Sequence, residues 1–294
     1  MKDIENWRKA SKIAAEALEY GKSLIKKDAS YTDVSEKIEK KIKELGGEPA
    51  FPVQMSLNET AAHFTTDINE DLKFSDELVC LDVGAHVDGC IGDNATTVDL
   101  SGKYSELVKA SREAVDNAIK IIQVGTTLGE IGKTIQDTIT SYGFTPIKNL
   151  SGHGLDSYNI HTFPTIPNYG TGDKTALKKG IVIAIEPFAT NGAGIIYEGG
   201  NAVIFSLANP KPVRSPITRK VLKEIIENYG ELPFCTRWLA KKFSYGQIKF
   251  ALRELRVINA VRAYPPLIDK DKGMVSQAEH TLLIDDEVEV LTKL

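Results

Sequence analysis

The chain repeats its own pattern at a fixed distance, and no other feature constrains its fold as tightly. Ile25 and Ile122, Ser30 and Thr127, Val34 and Ile131, Ile38 and Ile135, Ile42 and Ile139, Gly46 and Gly143, and Pro49 and Pro146 all stand 97 residues apart. Apolar positions on amphipathic helices coincide easily, because all such helices share one period. Here the offset also carries through the glycine that stops a helix and the proline of the following turn. The chain therefore reads as an internal duplication.

In each copy the apolar periodicity predicts two helices, over 4–27 and 31–45 in the first and over 104–123 and 127–142 in the second. Thr32, followed by Ser35-Glu36, supplies an N-cap and a first-turn acid for the second helix. Strand signals follow each pair. They cover 77–86 and 90–100, joined at the hairpin dipeptide Asp88-Gly89, and then 180–186 and 199–207. Helices gathered ahead of antiparallel strands, twice over, predict an α+β layer fold. Its curved antiparallel sheet would have pseudo-twofold symmetry and a site between the halves.

Composition sets the surroundings. With 294 residues, 42% hydrophobic and 26% charged, the chain is neither collagen-like nor low-complexity nor largely disordered. The N-terminus lacks an apolar leader core, and the most apolar run, Ile181 to Ile185, is far short of the about 20 residues that cross a bilayer. Neither a secretory leader nor a membrane partner is expected. Cys80, Cys90 and Cys235 are odd in number and lack metal-type spacing, which predicts reduced thiols in a cytoplasmic protein. The net charge of −4 does not by itself mark a nucleic-acid binder.

The sharpest local signal lies around the predicted hairpin. A two-residue turn at 88–89 sets position 93 opposite position 84, which shares a strand face with position 82. Asp82 and Asp93 would then project together from a mostly apolar hairpin, where their repulsion is costly unless a cation neutralises them. Two aspartates facing solvent would give the same pattern. His153 stands between Gly152 and Gly154, which let backbone approach it closely. Glu186 ends an apolar strand just before Pro187, and Glu279 shares a face with Gln277 on a strand over 275–284. Taken singly these read equally as a satisfied core histidine, a salt-bridged glutamate and an edge-strand glutamate. Together, four carboxylates and one imidazole form an oxygen-rich set suited to a pair of divalent metals.

In order and spacing, Asp82, Asp93, His153, Glu186 and Glu279 resemble the ligand set of the pita-bread metallopeptidases. The resemblance is closest to the type II methionine aminopeptidases in their short archaeal form, and it covers essentially the whole chain. Its specific parts are DVGAHVDGCIGDNATTVDL from Asp82, SGHGLDSYNIH from Ser151, IEPFAT from Ile185 and SQAEHTLLI from Ser276. It implies that Asp82 chelates one ion, that Asp93 and Glu279 bridge two, and that His153 and Glu186 complete the second. The ions would be Mn, Fe, Co or Zn, with the carboxylates leaning towards Mn or Fe. They would share a hydroxide that attacks the first peptide bond, with Glu186 as proton shuttle.

The resemblance also gives roles to His63 and His161, which stand 98 residues apart, nearly the repeat distance. One would contact the substrate amide and the other would polarise the scissile carbonyl. Phe51, Ile160 and Phe188 match positions lining a shallow pocket for the methionine side chain. His86 and His280 neighbour candidate ligands along their strands, so they should face away. The implied activity is co-translational removal of the initiator methionine from nascent chains beginning Met-small residue, by a cytoplasmic monomer. Two rivals remain: an Xaa-Pro-type metallopeptidase of the same fold, and a non-enzymatic interaction scaffold, whose members lose ligands that are all present here.

Residues 211–262 read as a helix over 215–229, a turn, a short helix over 236–243 and a helix over 245–255, as in a helix-turn-helix. This resembles the winged-helix-like insert that separates type II from type I enzymes. The expected division is a catalytic body of 1–195 and 268–294 with an inserted subdomain of 196–267. Residues 211–262 hold 12 Lys+Arg against 4 Asp+Glu, leaving 24 against 36 elsewhere, so the mild total conceals a basic insert on an acidic body. Such an insert would act as a lid on the site, or make a transient ribosome contact through rRNA.

Overall fold

The computed structural model describes residues 3–70 and 72–294; Met1, Lys2 and Asp71, which the sequence reading spans, lie outside the described residues. The helices are α1 (Ile4–Leu24), α2 (Tyr31–Glu44), α3 (Ser105–Ile121), α4 (Leu128–Ser141), α5 (Pro216–Asn228), α6 (Thr236–Leu239) and α7 (Tyr245–Val257).

The repeat is built into the helix ends. Ser30 and Thr127, the repeat pair, are the N-caps of α2 and α4, each accepting the backbone N–H three residues on. At Thr127 the Glu130 carboxylate reaches back to the cap N–H at 2.9 Å, completing a capping box. The cap expected at Thr32 is two residues too late; its hydroxyl instead meets that of Thr66 at 2.9 Å. Gly46 (φ 87°) and Gly143 (φ 79°) end the same two helices, with Gly47 N–H and Phe144 N–H bonded back to Ile42 O and Ile139 O. These are matching left-handed stops of the Schellman type.

Each helix pair covers its own sheet. Ile13, Leu18, Ile38 and Ile42 of α1 and α2 pack on Val79, Leu81 and Val83. Ala114, Ala118, Ile135 and Ile139 of α3 and α4 pack on Ile183, Ile185 and Leu282. Ile38, Ile42, Ile135 and Ile139 are fully buried, and each contributes about 1.5–3 kcal/mol of apolar transfer.

Strand Leu78–Val87 runs antiparallel to Cys90–Asp99 with unbroken register, Gly84 opposite Asp93 and Val87 opposite Cys90. Asp88 (φ 48°) and Gly89 (φ 88°) form the two-residue turn, as their sequence predicts. In the second half the strand over 180–186 stops at Glu186-Pro187 as expected, but the single strand expected over 275–284 is interrupted. Ile181–Ile185 gives way at Glu186-Pro187 to Phe188–Thr190, and 275–284 is two strands, Val275–Gln277 and His280–Ile284. Pro187 has no N–H to donate, and at this point the ladder passes from one sheet to the next. The 199–207 strand is also shorter than expected, Ile204–Leu207, after Gly200 turns with φ 79°.

Strand Ile196–Glu198 pairs with Leu267–Asp269, so the intervening chain leaves and returns through one antiparallel ladder. Between them, Ile204–Leu207 is flanked by Phe234–Cys235 and Val261–Tyr264. Helices α5 to α7 pack there around their own core of Phe205, Val221, Ile225, Phe234, Leu239, Ile248 and Leu255. The short helix ends at Leu239 instead of running to 243. The buried Arg237 guanidinium ties this region to α2, donating to Glu39 at 3.1 and 2.7 Å, while Trp238 Nε1 donates to Glu39 at 3.0 Å. The fold is α+β with duplicated halves. Among the described residues no helix is long and apolar enough to cross a membrane.

Candidate active site

The two halves deliver acidic side chains to the seam between them. On the first hairpin Asp82 faces Ala95 and Asp93 faces Gly84, so both aspartates project from one face. In the second half His280 faces Ile185 and Gln277 faces Phe188. That register puts Glu186 opposite Glu279, where both strands break. Gln277 Nε2 spans the two, donating to Glu186 Oε2 at 3.3 Å and Glu279 Oε2 at 3.5 Å.

His153 enters on strand Ser151–Asp156, with Ala184 opposite it. Its glycine neighbours do what their sequence suggests. A Cβ on Gly152 would meet Ala184 O, and one on Gly154 would meet Phe163 O, each at 2.3 Å. The His153 Nδ1 lies 3.2 Å from Gly154 O. A carbonyl only accepts, so Nδ1 carries the proton and the Nε2 lone pair points to the carboxylates. Nε2 lies 3.3 Å from Glu186 Oε1 and 4.0 Å from Asp93 Oδ2. Ligand atoms of Asp93, His153 and Glu279 all lie within 4.8 Å of one another.

The electrostatics are severe. Burial, then repulsion from Asp93 and Glu186, pushes the Asp82 carboxyl well above the usual carboxylate range. Burial does the same to Glu279, with Asp93, Glu186 and Asp82 adding to it. Asp93 is pushed up to about 7, mainly by burial, with His153 opposing and Glu186 reinforcing the rise. Burial alone would lower His153, but Glu186 and Asp93 outweigh it and raise the imidazole. Oδ1 of Asp82 and Oδ1 of Asp93 are buried with no hydrogen-bond partner. Clustered carboxylates with orphaned oxygens in a dry site fit divalent cations, which would satisfy the oxygens and offset the repulsion.

A cavity of about 240 Å³ opens on these groups. Asp82, Asp93, His153, Glu186 and Glu279 line it, together with His63, His161, Phe51, Ile160 and Phe188. The structure thus brings all ten sequence-selected residues to one cleft. The Phe51 ring lies over Gly84, where an added Cβ would stand 2.2 Å from Cε1. His63 has a left-handed backbone (φ 64°), donates its N–H to Gln54 Oε1 at 2.6 Å, and sets Nδ1 3.3 Å from Pro265 O. The His161 ring sits 4.5 Å from that of His153, centroid to centroid. Burial lowers His63 to about 4. Burial, reinforced by His153, His63 and Arg262, lowers His161 to about 3. Both are neutral near pH 7. His86 and His280 turn away as expected, one accepting from Gly89 N–H at 3.4 Å and the other set between Arg112 and Thr292.

Sequence reasoning missed several walls of the cavity: Gln54, Asn149, Ser151, Ile204, Pro233 and Tyr264. For two of them a signal existed. Gln54 and Ser151 are one repeat distance apart, and they face Asp82 and the Glu186 position respectively. Ile204, Pro233 and Tyr264 come from the inserted chain, whose docking is a tertiary fact.

A duplicated α+β fold with acidic residues converging on an inter-half cleft defines a class of metallopeptidase, and the chain belongs to it: the model of metallopeptidase family M24 matches residues 5–208. Within that family its full-length likeness is to methionine aminopeptidases. It is 48% identical to the methionine aminopeptidase of Archaeoglobus fulgidus, over 94% of each chain. It is 44% identical to that of Methanocaldococcus jannaschii, over 99% of this chain and all of the other. The crystal structure of methionine aminopeptidase from Thermotoga maritima superposes with a TM-score of 0.73 at 26% identity, covering 99% and 97% of the two chains. The resemblance carried by the four motifs is borne out, as is the pita-bread expectation for the fold.

Proposed function

We propose that this chain is a metal-dependent aminopeptidase that removes the N-terminal methionine from polypeptides. The observation that carries the reading is the set of buried carboxylates with orphaned oxygens, sharing one cleft with an apolar wall. Asp82, Asp93, His153, Glu186 and Glu279 would hold two divalent ions, with Mn or Fe suiting four carboxylates and one imidazole better than a thiolate-type zinc site. Bound there, such ions supply Lewis acidity and acidify the attacking water.

The side chains divide the remaining work. Phe51, Ile160 and Phe188 receive the methionine side chain by apolar contact. With Nδ1 committed to Pro265 O, the neutral His63 presents Nε2 as an acceptor for a substrate amide N–H. His161, neutral at working pH, donates an N–H to the scissile carbonyl and to the oxyanion that develops from it. Glu186 takes the proton of the attacking water and returns it to the leaving amine, its other oxygen held by Gln277. Substrates would be nascent N-termini of the Met-small type, met in the cytoplasm by a monomer.

The division into a body of 1–195 and 268–294 and an insert of 196–267 belongs to the same reading. Ile204, Pro233 and Tyr264 make the insert a wall of the cleft. A second role has its own support: Lys249, Arg253 and Arg256 stand exposed on α7 beside the exposed Tyr245, Phe250 and Val257, a basic and aromatic face suited to rRNA. Filter binding to rRNA fragments should weaken steeply with salt. Equal binding by a variant carrying Lys241→Ala, Lys242→Ala, Arg253→Ala and Arg256→Ala would refute that role.

The enzymatic reading is tested with peptides. Met-Ala-Ser should be cleaved and Xaa-Pro or Ala-Pro peptides left intact. Activity should vanish on chelation, return with added metal, and be absent from a folded His153→Ala variant. Turnover of Ala-Pro but not Met-Ala-Ser would favour the proline-specific chemistry of the fold. Retained activity in His153→Ala would overturn the ligand assignment.

A further inference from the structure

The paired registers establish which residues correspond across the two halves. Pro49 faces Ala85 and Pro146 faces Ala189, so Ala85 corresponds to Ala189. Ala85 faces Gly92 and Ala189 faces Ser276, so Gly92 corresponds to Ser276. Carried along the strands, the same offset matches Asp93 with Gln277, Ala95 with Glu279 and Thr97 with Thr281.

The hydrogen bonds obey that symmetry. Thr281 Oγ1 donates to Asp93 O at 2.7 Å and accepts Asp93 N–H at 2.8 Å. Thr97 Oγ1 donates to Gln277 O at 2.7 Å and accepts Gln277 N–H at 2.8 Å. Each threonine therefore grips both backbone groups of the residue that corresponds to its partner's target. Midway between the two bridges, Glu279 N–H donates to Ala95 O at 3.0 Å, again between corresponding positions. All four bridged residues are buried.

The physical need is plain from the sheets. Cys90–Asp99 and Val275–Gln277 are each the last strand of their own sheet, so each has an outward row of N–H and C=O groups without a ladder partner. A buried orphan of either kind is costly. A threonine hydroxyl is both donor and acceptor, so one side chain satisfies both groups while joining two sheets that do not pair there. Asp93 carries its carboxylate from one bridged backbone. Gln277 carries from the other the amide that reaches Glu186 and Glu279.

We infer that Thr97 and Thr281 are positioning residues that lock the two halves in the register the metal cluster requires, and so set the metal affinity of the cleft. The inference rests on the proposed ligand assignment, because Asp82 and Asp93 come from one half and Glu186 and Glu279 from the other. Ligand sets tolerate displacements of only about 0.5 Å, so a seam free to slide would weaken binding without touching a ligand.

The test is calorimetric titration of the chelated, metal-free protein with Mn²⁺ alone, for wild type, Thr97→Val, Thr281→Val and the matching serine variants. Valine keeps the shape and removes the hydroxyl; serine keeps the hydroxyl. Each valine variant that retains the wild-type near-UV circular dichroism should bind Mn²⁺ about 10–100-fold more weakly. Each serine variant should stay within about 3-fold of wild type, the span of ordinary context effects on a retained hydrogen bond. A folded valine variant with wild-type affinity overturns the inference, since a merely structural threonine would lower stability and leave affinity alone. Where a valine variant does not fold, serine decides: affinity near wild type supports the hydroxyl, and a loss of about 10-fold or more overturns it. Failure of the wild type itself to bind Mn²⁺ would instead remove the ligand assignment.

Discussion

Removing the metal should turn the cleft into a pH-dependent liability. With the ions chelated, Asp93 keeps a carboxyl pushed from its usual 3.8 up to about 7, chiefly by burial, so the folded chain holds a proton there that the unfolded chain releases. Between those two values the folded state binds more protons, so stability falls as pH rises. The contribution is fully present below about pH 4 and gone above about pH 7. A gap of about 3 units corresponds to about 4 kcal/mol at 1.36 kcal/mol per unit. Asp82 and Glu279 are raised by the same burial and mutual repulsion and act in the same direction. Urea unfolding of chelated protein from pH 4.5 to 7.5 should show a midpoint falling by on the order of 1 M relative to an Asp93→Asn variant, which lacks the titrating group. Saturating Mn²⁺ should remove the fall from the wild type by binding the ionised cluster. If the two chelated proteins keep parallel pH profiles, Asp93 is not held protonated and the reading of the cleft as an uncompensated charge cluster is wrong.

Further predictions follow from single contacts. Gly84→Ala would place a methyl group inside the Phe51 ring, so it should cost about 1–3 kcal/mol and raise KM for methionyl peptides more than it lowers kcat, as read by thermal unfolding and steady-state kinetics. Glu39→Gln would remove the only carboxylate hydrogen-bonded to the buried Arg237 guanidinium among the described residues, leaving the half-exposed Glu36 at 3.8 Å, and should cost about 3 kcal/mol. Replacing both residues by apolar ones should recover most of that. Burial holds His63 near 4 and His161 near 3, so their ring proton resonances should not titrate between pH 8 and 5.5 in metal-free protein; a midpoint near 6.5 for either would place it in solvent.

What the sequence disclosed was whatever local chemistry decides. The repeat distance carried through Ser30 and Thr127 because an N-cap needs a short hydroxyl at one defined place, and through Gly46 and Gly143 because a left-handed stop excludes most side chains. The hairpin register followed from a two-residue turn, which leaves only one way for Asp93 to sit relative to Asp82. The nearby Thr32 cap failed because Ser30 and Thr32 are both competent caps and tertiary contact with Thr66 separates them. The stop at Glu186-Pro187 was legible from the proline, whereas the break at Ala278-Glu279 was hidden because an alternating strand pattern runs through it. Only the handover between sheets interrupts pairing. Thr97 and Thr281 were silent for a related reason: a threonine on a strand is ordinary, and its meaning here lies in a partner almost two hundred residues away.

The correspondence between halves has a consequence in parity. A true twofold axis delivers side chains in even numbers, so two identical subunits could offer four or six groups to a site on their axis but never five. Where the first half presents Asp93 the second presents Gln277, and where the second presents Glu279 the first presents Ala95. Asp82 answers Glu186, but His153 joins from one side only, Ser56 standing at the corresponding place in the other. An odd, lopsided set of groups is open only to a chain whose two copies are covalently joined and free to drift apart in sequence while their backbones stay matched.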